Sequence, residues 1–454
     1  MFAREIYERR RTDLAARLGD GLVLLPGNGE SPMNYADNAY PFRQDSSFLY
    51  YAGLDQPDLA AVIDADSGDT TLFGDELTLD QIVWMGELPT LAARTERTGI
   101  AHVRPRRQLE ATIAAARTSG REVRFLPPYR ADTAALLEKL VGGAASLELI
   151  RAVVDQRSRK SAEEVAEIEK AVAVSVAMHE AAIRLGRPGG TERAVAAEVE
   201  RIASASGGRV AYPAIATING QTLHNHIHPN DISEGDLFLL DAGAETALGY
   251  AGDLTTTFPA NARFDDRQRQ VYDIVLRAYD AAVRAIVPGV RNLDVHFAAA
   301  RIIFDGMKDL GIMRGDAERA LAAGAHALVF PHGIGHMMGL DVHDMENLGE
   351  DHVGYAGEAR STQFGLKSLR LARPLEPGFV LTIEPGVYFI PQLIDAWRAR
   401  GHCSEFIDYD AMDRWRDLGG IRNEEDYLVT DDGARRLGPR KPQTLDEFSA
   451  LREG

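Results

Sequence analysis

The stretch "DLFLLDAGAETALGYAGDLTTTF" (236–258) decides how the larger part of this 454-residue chain folds. Phe238, Leu239 and Leu240 form an apolar, β-like run ahead of Asp241, and Leu254 to Phe258 form another just after Asp253. The glycine-rich joint between the runs lets them pair as an antiparallel hairpin, on which side chains of opposite strands meet on one face. Two aspartates brought together in a sheet interior repel each other unless a cation lies between them. Taken alone, an aspartate beside glycine is equally a turn or cap residue, so a metal site needs further ligands.

Two later stretches supply more carboxylates. "GFVLTIEPGVYFI" (378–390) sets Glu384 in a run that is apolar on both sides, where Ile383, Pro385 and Val387 leave it few ways to face water. A carboxylate inside a buried strand is costly unless paired or metal-bound. In "GGIRNEEDYLVT" (419–430), strand alternation puts Arg422, Glu424 and Asp426 on one face and Asn423 and Glu425 on the other. By itself that stretch reads as an exposed edge strand with solvated charges.

"HGIGHMMGLDVHD" (332–344) adds His332, His336 and His343. The first two have the i, i+4 spacing of a helical zinc pair, but Gly333, Gly335 and Gly339 disfavour a helix there. An extended or looped segment running close to a site is expected, and it cannot point all three imidazoles at one ion. Four carboxylates with one histidine suit a pair of hard divalent ions such as Mn²⁺ or Co²⁺. They make a poor structural zinc site, which prefers thiolates and several imidazoles.

The rest of the chain is consistent with an enzyme of two domains, since 454 residues exceed one ordinary core. A net charge of −18 argues against a nucleic-acid partner, which needs a basic face. The charged "MFAREIYERRR" has no apolar core and is not read as a signal peptide. No run approaches the roughly 18 apolar residues that span a bilayer, so no membrane partner is expected. A single cysteine, Cys403, forms no internal disulfide and fits a reducing, cytoplasmic setting.

Residues 1–157 alternate strand-like and helix-like stretches and are expected to form an α/β domain around a sheet. "GLVLLPG" (21–27) is one strand, "AAVIDADSGDTTLF" (60–73) two, and "QLEATIAAARTSG" (108–120) a helix stopped by glycine. A boundary is expected at 157/158, followed by an α+β domain over 158–454. Ser161 and Glu164 form a capping box for a helix ending at Gly186, and a second helix starts near Thr191. Helices are expected at 265–287 and 292–310, the latter capped by Asn292, and strands at 236–242, 252–258, 378–390 and 421–430.

Four of these motifs, "DAGAETALGYAGD", "HGIGHMMGLDVHD", "TIEPGVYF" and "IRNEED", resemble in order and spacing those of the pita-bread metallopeptidases, prolidase first and aminopeptidase P next. "YPFRQDSSFLYYAGL" (40–54) and "WMGELP" (84–89) look like their creatinase-like N-terminal domain. The resemblance implies a dinuclear centre of Asp241, Asp253, His336, Glu384 and Glu424, with Asp253 and Glu424 bridging two divalent ions. Mn²⁺ is the expected metal, with Co²⁺ or Zn²⁺ as alternatives. His224, His332 and His343 resemble substrate-side histidines, of which His224 and His343, with Glu384, are the expected catalytic groups. His226 and His228 are expected to be exposed loop residues. Arg370, in "GLKSLRLARPLEPG" (365–378), falls where prolidases of this type carry an arginine that binds the proline carboxylate. Read without the resemblance, it is a surface arginine beside Lys367 and Arg373.

The implied reaction is hydrolysis of Xaa-Pro dipeptides by a metal-bridging hydroxide, two ions lowering the pKa of water from about 15.7 towards neutrality. His343 is expected to donate a hydrogen bond to the oxyanion and Glu384 to pass a proton to the leaving proline nitrogen. The same-class alternative is an aminopeptidase acting on longer Xaa-Pro peptides; the other is a metal-free binding or scaffold protein on this fold. Relatives usually form homodimers, a loop around Trp84 or Asp37 closing the partner's site. Asn225, Thr256 and Asn423 depart from the family pattern without removing a ligand.

Overall fold

The computed structural model describes residues 1–453 and divides into two compact units: residues 1–157 with 347–352, and 158–346 with 353–453. The first is built on a five-stranded mixed sheet. Its strands are β1 (Leu22–Pro26), β2 (Ala60–Asp64), β3 (Thr70–Phe73), β4 (His102–Arg104) and β5 (Val123–Arg124), in the order β4-β3-β2-β1-β5. β1, β2 and β3 pair antiparallel, and the two outer strands join parallel. Leu22, Leu24, Val62 and Phe73 pack against Leu109 and Ile113 of the helix Leu109–Thr118 and Leu137 and Leu140 of the helix Ala131–Leu140. Every one of them is under a tenth exposed, so burial of this face holds the unit together. The helix Leu79–Met85 differs: none of its residues is buried, and Leu79, Val83 and Trp84 are 78%, 72% and 80% exposed.

The second unit places helices around short antiparallel ladders. The helix Ala162–Leu185 begins with the expected capping box of Ser161 and Glu164, and the helix Glu192–Ala205 is capped by the Thr191 hydroxyl. Each such cap contributes about 1 kcal/mol by satisfying end N–H groups. A capping box of Asp265 and Gln268 starts the helix Asp266–Ala285. In the helix Asn292–Asp309, however, Asn292 is not the cap that its side chain suggested. It is the first helical residue, fully buried, and its amide donates to the Leu371 carbonyl at 2.9 Å. A distant acceptor outcompetes the local capping role.

The strands of this unit are β6 (Arg209–Val210), β7 (Ile215–Thr217), β8 (Leu237–Asp241), β9 (Ala244–Glu245), β10 (Thr255–Pro259), β11 (Val380–Ile383), β12 (Gly386–Tyr388), β13 (Gly420–Arg422), β14 (Glu425–Val429) and β15 (Ala434–Arg436). They form ladders β10-β8-β7, β11-β14-β15, β12-β13 and β6-β9. The stretches 378–390 and 421–430, expected as single strands, are each broken in two. Ile383 pairs with Glu425 in one ladder and Gly386 with Arg422 in the other, so both chains switch ladders at the same level. Pro385, which has no N–H to give a ladder, lies in the gap and accepts from the Asn423 N–H at 3.2 Å. Glu384 and Glu424 therefore sit at the break, not within a continuous strand.

Candidate metal centre

The hairpin forms as expected. β8 and β10 are antiparallel, with Asp241 opposite Thr255, and Asp253 lies two residues before Thr255. The Tyr212 hydroxyl lies between the two carboxylates, 2.7 Å from Asp241 Oδ1 and in short contact with Asp253 Oδ1, so its one proton serves both. Burial, reinforced by the aspartates, pushes the Tyr212 pKa well up, and the hydroxyl stays protonated. Arg422 donates to Asp241 Oδ2 and to the Tyr388 and Thr255 hydroxyls.

Thr255 also ties the hairpin to the ladder break. Its hydroxyl donates to the Glu424 carboxylate at 2.7 Å, and its carbonyl accepts the Glu424 N–H at 3.1 Å. The glycine-rich stretch runs beside β11: Thr382 donates to the His336 carbonyl at 3.1 Å and Glu384 to the Ile334 carbonyl at 2.8 Å. Gly335 is required by this approach, because a Cβ there would lie 1.9 Å from the Thr382 carbonyl oxygen. The segment is extended, as the glycines implied. His336 Nδ1 faces the Met337 carbonyl at 3.1 Å and so carries a proton. Nε2 lies 3.3 Å from Asp253 and 4.0 Å from Glu384, which favour a proton there in the metal-free protein; giving up that proton would make it the ligand atom.

Asp253, His336 and Glu424 are all buried, and one ligand atom from each lies within 4.8 Å of the other two. Burial, and then neighbouring carboxylates, pushes Glu424 well above its ordinary range. Burial raises Asp241 too, against the pull of Arg422, and lifts Glu384 to about 7. For Asp253 the hydrogen bond and charge of His336 outweigh burial and hold it low. Three carboxyls, Asp241 and Glu424 buried and Glu384 half-buried, thus lack enough positive charge from the protein, and the donors are oxygen-rich with one imidazole. That combination fits hard divalent cations.

All nine sequence candidates line one cavity of about 500 Å³. His332 is committed on both ring nitrogens, with Nδ1 donating to the Gly333 carbonyl and Nε2 accepting from Tyr388, each at 2.8 Å. His224 is exposed at the cavity beside His226, their rings 6.2 Å apart; His226 is exposed but also lines the cavity. His228 is half-buried against the Ala216 carbonyl. His343 Nδ1 lies 2.7 Å from Glu346, and the other oxygen of that carboxylate binds Arg370 at 2.5 Å. Because His343 and Arg370 hold Glu346 down at about 2, it only accepts, and the His343 proton is on Nδ1. Sequence reasoning missed Tyr212 and Glu346, and it placed Arg422 on the Glu424 face without a role.

A family model described as metallopeptidase family M24 matches residues 166–431, more than half of the chain. The chain belongs to metallopeptidase family M24. A second model, the aminopeptidase P N-terminal domain, matches residues 7–124. Among curated relatives, the human Xaa-Pro dipeptidase is 32% identical over 99% of this chain and 92% of its own length. The Xaa-Pro aminopeptidase of Escherichia coli strain K12 is 31% identical over 99% and 98%. Aminopeptidase PepP of Pseudomonas aeruginosa matches with a TM-score of 0.84 and 29% identity, covering 100% of this chain and 98% of that one. Aminopeptidase P from Escherichia coli with the inhibitor Pro-Leu gives 0.83 and 29% over the same shares. The chain is therefore a metallopeptidase with an α/β N-terminal domain and an α+β, pita-bread catalytic domain, and the metal-free scaffold alternative loses its support. No helix among the described residues is long and apolar enough to cross a membrane.

Proposed function

We propose that the chain hydrolyses Xaa-Pro dipeptides to an amino acid and free proline. One cation supports this reading: Arg370, lining the cavity with its guanidinium oriented by Glu346. A guanidinium clamps a carboxylate through paired N–H groups, and only a dipeptide has its carboxylate one residue past the cut. The likeness to aminopeptidase P structures favours the second reading, cleavage of longer Xaa-Pro peptides. A length series decides: Xaa-Pro should be cleaved far faster than Xaa-Pro-Yaa, and the opposite order would make the enzyme an aminopeptidase.

Asp241, Asp253, His336, Glu384 and Glu424 are the proposed ligands of two divalent ions, with Mn²⁺ first and Co²⁺ or Zn²⁺ as alternatives. Such ions supply Lewis-acid polarisation of the scissile carbonyl and water of lowered pKa. Tyr212 and Arg422 hold the aspartate side of the set in place. His343 has its proton on Nδ1, and burial with the neighbouring His336 pushes its pKa down to about 4 against the pull of Glu346. Near neutral pH its bare Nε2 therefore accepts from the substrate side instead of donating to the oxyanion. Glu384 carries a proton to the proline nitrogen, and His224 and His332 flank the substrate. We also propose a domain division at 157/158 and a cytoplasmic setting, the latter resting on the lone cysteine. A homodimer is our reading of the exposed helix Leu79–Met85, whose apolar side chains a second copy would cover.

A further inference from the structure

We propose that Glu346 is a positioning residue that couples recognition of the substrate carboxylate to His343; this rests on the dipeptidase reading. Its two carboxylate oxygens are divided between two groups on the cavity wall: Oε2 accepts from His343 Nδ1 at 2.7 Å and Oε1 from Arg370 at 2.5 Å. The chain is bent to bring this about. Residues 343–346 form a turn closed by the Glu346 N–H on the His343 carbonyl at 3.2 Å, and Met345 takes a left-handed φ of 62°. A side-chain-bearing residue rarely accepts that conformation unless its surroundings impose it. Met345 is fully buried, and Asp344 is locked to Lys160 Nζ at 2.9 Å with both side chains 1% exposed. The turn is rigid, so the glutamate folds back over the imidazole three residues before it.

Two consequences follow for the reaction. The carboxylate sets the His343 tautomer, keeping Nδ1 protonated and Nε2 available, as an orienting acid does for any functional imidazole. The same carboxylate holds the Arg370 guanidinium on the cavity wall, where it is placed to meet the substrate carboxylate. Loss of Glu346 should therefore damage turnover and binding by separate routes.

The test uses the full chain reconstituted with Mn²⁺, and compares wild type with Glu346→Gln on an Xaa-Pro dipeptide and on its C-terminal amide. Glutamine keeps the shape, and an unchanged unfolding midpoint confirms the fold. On the dipeptide, kcat should fall about ten-fold, as when an orienting partner is lost. KM should rise about five-fold, as when one half-exposed ion pair is lost. On the amide, which offers Arg370 no charged, two-oxygen partner, only kcat should fall. In an Arg370→Ala background Glu346→Gln should again lower kcat without raising KM further. Equal effects on acid and amide, or a change in only one of kcat and KM on the dipeptide, would overturn the coupling. If the wild type itself handles acid and amide alike, the dipeptidase reading falls and the coupling with it. A wild type that prefers the acid, with variants that show no split, defeats the coupling alone.

Discussion

Replacing Lys160 with methionine keeps the length of the side chain and removes the ammonium that faces the buried Asp344 carboxylate. Lys160 Nζ lies 2.9 Å from Asp344 Oδ2, and each side chain is 1% exposed. The other Asp344 oxygen is 3.4 Å from the Asp341 N–H, a weak contact. Breaking a buried pair by removing one partner costs about 3–5 kcal/mol, because the remaining charge loses its compensation and cannot reach water. The space is also tight: a Cβ at Gly339 would fall 2.7 Å from Asp344 and 2.8 Å from Lys160, so little room exists for a rescuing water. Guanidinium unfolding at pH 7, read as the shift in midpoint at the wild-type slope, should show a loss of about 3 kcal/mol or more. Lys160→Met combined with Asp344→Asn should recover most of it, since the orphaned charge is then gone. A loss below about 1 kcal/mol, or no recovery in the double variant, would refute the reasoning.

Tyr212→Phe removes the one proton shared by Asp241 and Asp253; metal affinity, read by calorimetry, should weaken about ten-fold or more. Arg370→Ala should raise KM for an Xaa-Pro dipeptide about ten-fold and leave KM for its amide unchanged. In metal-stripped protein, Glu384 has a folded pKa of about 7, above its ordinary 4.5. Protonation therefore favours the folded state: the apoprotein should be more stable near pH 4.5 and lose on the order of 3 kcal/mol as pH rises through 7. Metal-loaded protein should show no such loss on a thermal-unfolding series across that range. Asn423→Ile would take the Asn423 Oδ1 acceptor from the buried Lys441 ammonium, 2.6 Å away, and should lower the unfolding midpoint by an amount worth about 1–3 kcal/mol.

What the chain reveals before folding follows the range of the interactions involved. Capping boxes at Ser161/Glu164, the strand at 22–26 and the glycine-driven extended segment at 334–338 depend on neighbours in sequence, and all were legible. The hairpin bearing Asp241 and Asp253 was legible for the same reason. The breaks at Glu384 and Glu424 were not, because an apolar run looks the same whether it stays in one ladder or changes to another. Tyr212 lies in "AYPAIAT", where nothing local distinguishes a hydroxyl held by two aspartates from an ordinary core tyrosine. Asn292 looked like a cap until the Leu371 carbonyl, far along the chain, proved the better acceptor. Glu346 reads as one more surface acid, and only the left-handed turn at Met345 brings it back onto His343 and Arg370.

The account rests on five side chains holding two ions that the reaction needs. The most direct measurement strips the protein of metal and titrates Mn²⁺ back, following heat of binding and proline release from an Xaa-Pro dipeptide in the same samples. Two ions bound per chain, with proline release absent before they bind and rising as the sites fill, is the predicted result. Full activity in the stripped protein, or no measurable Mn²⁺ binding, would contradict it.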